Sequence, residues 1–183
     1  MLILETPRLM LRPFQDSDVE RFVAYRSDPE VARYQSWQPP FTRKQAADFI
    51  DEMKHAQPGT VGAWYQFAVE RKQQIGLIGD CAFHILRSDA HQAEIGFSFA
   101  RPYQGHGYAT EAVTRLLDYL FGELALHRVT ATCDAENVAS GKLLERVGMR
   151  REGHFVENIW FKGAWGSEYG YAILQREWKM RQS

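Results

Sequence analysis

Tyr103–Ala112 reads Tyr-Gln-Gly-His-Gly-Tyr-Ala-Thr-Glu-Ala and separates an apolar run suited to a strand from an amphipathic run suited to a helix. The first run is Ala93–Ala100 and the second is Ala109–Leu124. Gly105 and Gly107 lack a Cβ atom, so the backbone here can adopt positive φ and approach a ligand closely. The first amides of the helix have no partner within it and carry the positive end of its dipole. This order of strand, glycine turn and helix favours a seat for a phosphate or diphosphate.

The glycine turn has three other possible interpretations: a plain connector, a P-loop and a dinucleotide-binding fingerprint. A bare Gly-x-Gly also occurs as a plain connector between a strand and a helix. The P-loop is excluded because Gly107 is followed by Tyr108 and not by lysine. The dinucleotide fingerprint fits poorly, because Thr110 stands where a third small residue is needed and no βαβ unit precedes the turn.

Two motifs of the chain resemble one family. Gln104-x-x-Gly107-x-Ala109 resembles the diphosphate-binding motif of the GNAT superfamily of acetyl-CoA-dependent N-acetyltransferases. Its extension Gly-Tyr-Ala-Thr-Glu-Ala, and the N-terminal Thr6-x-Arg8-Leu9-x-Leu11-Arg12, resemble the branch of the ribosomal-protein N-terminal (RimJ/RimL-like) acetyltransferases. The resemblance covers essentially the whole chain.

Composition limits the class of protein. The chain has 183 residues, 45% of them hydrophobic, which suits a single globular domain over residues 1–183. With 22 basic and 23 acidic residues, it lacks the excess of positive charge that is typical of nucleic-acid-binding proteins. No apolar run approaches a membrane span, and the N-terminus does not resemble a signal peptide, so we expect a cytoplasmic protein. Cys81 and Cys133 lie in apolar, strand-like runs and are expected to be free, buried thiols.

The hydrophobic pattern predicts an alternation of strands and helices. Strands are expected at Met1–Phe14, Ala63–Arg71, Ile75–Leu86, Gln92–Ala100, His127–Cys133, Met149–Glu157 and Glu168–Leu174. Helices are expected at Val19–Arg26 after an Asp16-Ser17-Asp18 cap, after Asp28-Pro29, from Thr42 to Lys54, and over Glu111–Leu124 and Asn137–Val147. By resemblance this order is that of an α/β (α+β) GNAT acyl-CoA N-acyltransferase fold. That fold has a mixed, largely antiparallel twisted sheet of about seven strands flanked by helices.

The resemblance implies that acetyl-CoA is the co-substrate. Its pantetheine arm would lie along the strand before the glycine turn, its diphosphate on the turn, and an asparagine beyond the next strand would bridge the arm. The expected cofactor-binding residues are Phe97, Ser98, Phe99, Gln104, Gly105, His106, Gly107, Tyr108, Ala109, Thr110, Asn137, Ser140, Lys142 and Arg146. Asn137 also suits a plain helix N-cap. His106, at an x position of the motif, suits solvent exposure better than contact with a phosphate. Lys142 and Arg146 suit simple exposure as well as contact with the CoA phosphates.

At two positions the sequence lacks a residue that many family members carry, and this affects the choice of candidate catalytic residues. Leu144 stands where many members carry a tyrosine acid, which leaves Ser140 as the candidate acid for the thiolate. Glu94, among apolar strand residues, is the candidate base, because burial would raise its pKa. The alternative for Glu94 is a surface carboxylate. Ile159 stands where the branch can carry a carboxylate, and Glu157, expected on the same strand face, is a candidate substitute.

The acceptor is expected beside the aromatic loop Tyr34–Phe41. Tyr34 and Trp37 are candidate substrate-binding residues, although both also suit packing beneath Pro39-Pro40. The expected reaction is direct attack of a primary amine, from a protein N-terminus or a small molecule, on acetyl-CoA through a tetrahedral intermediate. The alternatives are a catalytically weak acyl-CoA-binding sensor and a phosphate-binding module unrelated to CoA. No metal, nucleic-acid or membrane partner is expected, and a homodimer stays open because of the aromatic segment near the C-terminus.

Overall fold

A computed structural model describes residues 2–181 and shows one continuous sheet with helices on both faces. Within that range the strands are β1 (Leu4–Glu5), β2 (Leu9–Arg12), β3 (Trp64–Arg71), β4 (Gln74–Ile85), β5 (Gln92–Phe99), β6 (Arg128–Asp134), β7 (Arg150–Phe161) and β8 (Ala164–Leu174). The α-helices are α1 (Val19–Arg26), α2 (Pro29–Ala32), α3 (Arg43–His55), α4 (Tyr108–Asp118), α5 (Val138–Arg146) and α6 (Gln175–Arg181). A π-helical segment, Tyr119–Glu123, continues α4.

The strand order across the sheet is β1-β2-β3-β4-β5-β6-β8-β7. Each pair of neighbours is antiparallel except β5 and β6, which run parallel. The mixed, largely antiparallel sheet of the GNAT fold is therefore confirmed, with eight strands in residues 2–181 and not about seven. Strand β4 is irregular near its glycines, because its register with β3 shifts between Val69 and Glu70, opposite Gly79 and Leu77.

The single strand predicted over Met1–Phe14 is wrong. The chain forms two short strands that pair with each other, with Leu4 opposite Leu11. The turn between them contains Pro7 and is closed by a 3.0 Å hydrogen bond from Thr6 N to Leu9 O. Met1 lies outside the described residues. Because both strands are apolar, the hydrophobic pattern alone does not reveal that the chain reverses here.

The C-terminal hairpin is longer than its hydrophobic pattern indicates. Strand β7 continues to Phe161 and β8 begins at Ala164, so the Trp- and Gly-rich segment belongs to the sheet. Lys162 and Gly163 form the tip, with φ of 50° and 92°. Most of β7 is exposed, so it lacks the alternation of buried and exposed residues that marks a half-buried strand. The helix α6 was not predicted.

Two cores pack against opposite faces of the sheet. The larger lies between the sheet and α4, whose buried face contains Ala112, Val113, Leu116 and Leu117. The smaller lies beneath α1 and α3, around Phe22 and Ile50. Since strand side chains alternate between faces, polar residues of β4, β5 and β6 on the second face point to the same side as α1 and α3.

Helix caps follow the sequence with one exception. Thr42 and Asp28 accept hydrogen bonds from Gln45 N and Glu30 N, as expected for caps of α3 and α2. Asp18, expected to help cap α1, makes no side-chain cap bond to that helix. Its carboxylate instead receives two 2.8 Å hydrogen bonds from the Arg12 guanidinium. A buried cation of opposite charge is a stronger partner than a backbone amide at a helix end.

Candidate active site

The sheet opens between β5 and β6. These parallel strands pair only over Gln92–Glu94 and Arg128–Thr130. Beyond that point β5 stays paired with β4 as far as Phe99, and β6 stays paired with β8 as far as Asp134. The two strands therefore diverge towards their carboxyl ends.

The hydrogen bonds of β5 show which of its backbone groups face the opening. Gln92 O accepts from Leu86 N at 2.9 Å, and Ala100 N donates to Ile78 O at 2.9 Å. Hydrogen-bonding groups alternate in direction along a strand, so the even-numbered residues of β5 face β4. The odd-numbered residues must then present their N–H and C=O groups to the opposite side.

Two of these odd-numbered residues have partners within the protein. Ala93 O accepts from Thr130 Oγ1 at 3.2 Å, and Phe99 O accepts from Gln104 Nε2 at 2.8 Å. The last parallel pair, Glu94 with Thr130, uses the Ile95 N–H, so the Ile95 C=O and both backbone groups of Phe97 are directed into the opening.

A cavity of about 100 Å³ occupies this opening. Side chains from β5, β6, α5 and the loop after α2 line it, among them Tyr34, Phe97, Cys133, Asn137 and Ser140. Among the expected arm-binding residues, Phe97 lines the cavity, whereas the side chains of Ser98 and Phe99 are buried. A narrow groove with free strand amides on one wall suits an extended chain that carries amide groups.

The glycine turn at the carboxyl end of β5 has the predicted backbone. Gly105 and Gly107 have φ of 77° and 79°, and α4 begins directly afterwards at Tyr108. A Cβ added to Gly105 would meet no atom within 4 Å, whereas one added to Gly107 would lie 3.3 Å from Arg8 Nη2. The space over Gly105 is open to a ligand. Position 107 requires glycine because its φ is positive and because a Cβ would crowd the Arg8 guanidinium.

The side chains of this loop contact other groups of the protein. The Gln104 side chain donates a hydrogen bond to Phe99 O. His106 is exposed, and its Nδ1 lies 2.8 Å from Gln104 O. The His106 ring stacks on Tyr108, with ring centroids 5.9 Å apart. The Arg8 guanidinium carbon lies 4.6 Å from the centroid of that tyrosine ring. The main chain of the loop, more than its side chains, is thus left for a ligand.

Glu111, in the first turn of α4, joins the loop to the turn between β1 and β2. Its carboxylate accepts from Thr6 Oγ1 at 2.5 Å, Arg8 N at 3.0 Å and Arg8 Nε at 2.5 Å. Partial burial alone would raise the pKa of Glu111, but the hydrogen bonds from Thr6 and Arg8 outweigh it and lower that pKa. The two motifs that carry the family resemblance therefore bind each other.

Helix α5 supplies the other wall of the groove. Asn137 caps it, with Oδ1 accepting from Ser140 N at 3.2 Å, so the capping interpretation of Asn137 is confirmed. Both residues also line the cavity, as does Leu144. Lys142 is exposed. Arg146 reaches the start of α4, where its Nη1 lies 3.3 Å from Thr110 Oγ1.

The two candidate bases differ in surroundings. Glu94 is half-buried, and burial raises its pKa; Glu168 raises it further, and His84 opposes the shift. Glu157 is exposed and has φ of 47° in a bulge of β7, where its N–H donates to Ser167 Oγ at 2.9 Å. The bulge breaks the strand alternation, so the expectation that Glu157 shares a face with Ile159 no longer has its basis.

The aromatic loop contributes Tyr34 and Gln35 to the lining of the cavity. Tyr34 lines it, and its hydroxyl donates to Glu136 O at 3.3 Å. Trp37 packs against the smaller core, where Arg26 Cζ lies 4.0 Å from its ring centroid. Its Nε1 donates to Arg26 O at 2.9 Å. Trp37 therefore has the packing role that the sequence left open.

A buried polar network beneath the same face was not predicted. Asp80 accepts from the Tyr25 hydroxyl and, at 2.5 Å, from Gln66 Nε2, and Arg26 Nη2 lies 3.7 Å away. Burial raises the pKa of Asp80 although these neighbours lower it. A lone aspartate within the apolar run of β4 was the available signal, and its partners lie 14 to 55 residues away.

The cysteines are free, as expected. Cys81 is buried in the larger core, and burial raises the pKa of its thiol. Cys133 is half-buried and lines the cavity. Burial, with Asp134 and Glu168 nearby, raises the pKa of the Cys133 thiol to about 11, so the thiol is protonated at neutral pH.

Comparison with known proteins gives the family. The model of the acetyltransferase (GNAT) domain matches residues 8–150. The chain belongs to the GNAT acetyltransferases. This membership supports N-acetyltransferase activity on amines and gives no support to the sensor alternative.

Among curated relatives, the uncharacterized N-acetyltransferase YnaD of Bacillus subtilis is 37% identical, over 96% of this chain and 98% of its own. The [ribosomal protein uS5]-alanine N-acetyltransferase of Escherichia coli is 27% identical, over 96% of this chain and 92% of its own, which agrees with the RimJ-like resemblance. A solved GNAT structure, spermidine N-acetyltransferase from Vibrio cholerae in complex with CoA and spermine, is 25% identical with a TM-score of 0.80. That likeness covers 95% of this chain and 99% of the other.

In this GNAT chain, none of the helices within residues 2–181 is both long and apolar enough to cross a membrane.

Proposed function

We propose that the protein transfers the acetyl group of acetyl-CoA to a primary amine by direct attack. The observation that carries this proposal is the opening between β5 and β6, which leads to the glycine turn at the start of α4. The groove and the turn follow one another in the order in which the arm and the diphosphate of CoA occur. A solved relative binds CoA, which supports the same ligand here.

The residues of the groove fit such a donor. In our proposal the Ile95 C=O and the backbone groups of Phe97 pair with the amides of the pantetheine arm, and the Asn137 side chain bridges the arm from the opposite wall. The amides of Gly105–Thr110 hold the diphosphate at the positive end of α4. Arg146, held beside Thr110, adds a positive charge at the same end of the helix.

The chemistry requires a donor for the developing oxyanion, a base for the amine and a proton for the thiolate. We assign the oxyanion donor to a backbone amide near Phe97, which faces the groove. Glu94 accepts the amine proton through water, since burial raises its pKa towards the working range of a base. Ser140 lies along the groove beside Leu144 and donates a hydrogen bond to the leaving sulfur.

The acceptor approaches from the face of α1 and α3, where Tyr34 reaches the groove. The carboxylates of Glu94, Asp134 and Glu168 belong to neighbouring strands on this face, which favours a cationic amine. Two of the relatives named above are, by their names, N-acetyltransferases of ribosomal protein uS5 alanine and of spermidine. Both of these acceptors are amines that carry a positive charge before transfer.

Release of free thiol from acetyl-CoA tests the proposal. The acceptor panel should contain spermidine, an alanine-initiated peptide and an aminoglycoside, with acetyl-CoA alone as the control. We expect thiol release that depends on the acceptor and that produces the acetylated amine by mass spectrometry. Binding of CoA without turnover on any acceptor would contradict a transferase.

A further inference from the structure

Arg8 lies beneath the glycine turn and contacts it from the side of β2. Its Nη1 donates to His106 O at 3.0 Å, and its guanidinium carbon lies 4.6 Å from the ring centroid of Tyr108. A Cβ on Gly107 would lie 3.3 Å from its Nη2. The guanidinium thus touches three consecutive residues of the turn. About half of the Arg8 side chain remains exposed.

The position of the guanidinium is fixed from behind by Glu111. One carboxylate oxygen accepts from Arg8 Nε at 2.5 Å, and the other accepts from Arg8 N at 3.0 Å and Thr6 Oγ1 at 2.5 Å. A charge-assisted pair with a second anchor on the main chain restricts an otherwise flexible side chain. The pKa of Glu111 is lowered by these hydrogen bonds against the effect of burial, so the carboxylate is ionised at neutral pH.

The bond to His106 O determines where the next amide points. In a planar trans peptide the C=O of one residue and the N–H of the next point in opposite directions. Arg8 holds the His106 carbonyl on the β2 side, so the Gly107 N–H must point to the other side, away from β2. Without Arg8, the glycines on either side of His106 leave this peptide free to rotate.

We propose that Arg8 is a positioning residue for the donor: together with Glu111 it orients the Gly107 amide towards the diphosphate. This inference rests on the proposed function, since it assigns the turn to the diphosphate of acetyl-CoA. Arg8 makes the bond to the His106 carbonyl, Glu111 holds Arg8, and Thr6 in turn donates to Glu111.

Steady-state kinetics with two donors tests the assignment. Acetyl-CoA carries the diphosphate, whereas S-acetylpantetheine carries the same thioester and arm without it. For Arg8→Gln we expect KM for acetyl-CoA to rise at least about tenfold with kcat little changed, because one charge-assisted hydrogen bond orients the amide. We expect kcat/KM for S-acetylpantetheine to stay within about twofold of wild type, since that donor does not reach the turn.

Two further variants keep the test decisive. Glu111→Gln releases Arg8 without removing it, and we expect the same donor-selective rise in KM. Lys72→Gln removes one positive charge from the same edge of the sheet, where Lys72 pairs with Glu5 at 2.7 Å, and we expect neither donor to be affected. An equal loss with both donors, or no change with acetyl-CoA, would overturn the role of Arg8.

The failure of this role and the failure of the proposed function give different results. A wild-type protein that turns over acetyl-CoA, with Arg8→Gln and Glu111→Gln unchanged in KM, would overturn only the positioning role. If the wild type shows no turnover, calorimetry can measure instead how tightly the wild type and the variants bind CoA and pantetheine. A loss confined to CoA would then support the role of Arg8, and an equal loss would overturn it.

Discussion

Replacement of Arg12 by methionine should strongly destabilise the protein. Arg12 donates to Glu70 Oε2 at 2.6 Å through Nε and to the Asp18 carboxylate at 2.8 Å through both terminal nitrogens. The side chains of these three residues are 6%, 9% and 2% exposed, in the order Arg12, Glu70, Asp18. Burial alone would lower the pKa of Arg12, but the two carboxylates outweigh it and raise that pKa. The cluster is a buried cation between two anions.

The expected magnitude follows from the two charges that would be left behind. Removing one partner of a buried ion pair typically costs about 3–5 kcal/mol, because the other charge stays buried without compensation. Total stability of a protein is usually about 5–15 kcal/mol, so Arg12→Met should remove a large fraction of it. The triple variant Arg12→Met, Asp18→Asn, Glu70→Gln should be less destabilised than Arg12→Met, since no buried charge is left unpaired.

Equilibrium unfolding in urea, followed by fluorescence, measures these differences. The matched control is Arg43→Met, because Arg43 pairs with Glu20 at 2.7 Å while both side chains are more than 70% exposed. An exposed pair contributes at most about 1 kcal/mol. If Arg12→Met changed the free energy of unfolding no more than Arg43→Met does, the reasoning about the buried cluster would be refuted.

Three further predictions concern the groove. Gly107→Val, at φ of 79°, should abolish the heat of CoA binding. The control Gly163→Val, at φ of 92° in the hairpin tip, should introduce a similar backbone strain of about 1–3 kcal/mol and leave CoA binding normal. Ser140→Ala should lower kcat about 10²-fold with unchanged CoA affinity, because the thiolate loses its donor; an unaltered kcat would remove Ser140 from the mechanism. Glu94→Gln should flatten the acid limb of the pH–rate profile: burial raises the pKa of Glu94, so the wild type loses its base as pH falls through that value, and a retained acid limb would exclude it.

Much of the fold could be predicted because its signals are local. Caps such as Thr42 and Asn137 bond to residues three positions away, and the positive φ of Gly105 and Gly107 follows from glycine in a strand-to-helix turn. The strand order around the turn followed from the family resemblance. For the same reason the groove was expected between the correct two strands.

What could not be predicted depends on pairing over long sequence distances. Thr6, Arg8 and Glu111 were all recognised as motif residues, but their bonds span more than 100 positions, and no periodicity reports such a contact. The bulge in β7 depends on register with β8, so the face of Glu157 could not be predicted from strand alternation. Trp37 was open between two roles because its partner, Arg26, belongs to another element.

The most direct test of the account is a titration of isotope-labelled protein with CoA, followed by the chemical shifts of backbone amides. We expect the largest shifts at Phe97 on β5 and at Gly105–Thr110 on the turn, with saturation on addition of CoA. Absence of binding by the folded protein, or shifts confined to other parts of the sheet, would contradict the claim that free backbone groups of this groove hold the donor.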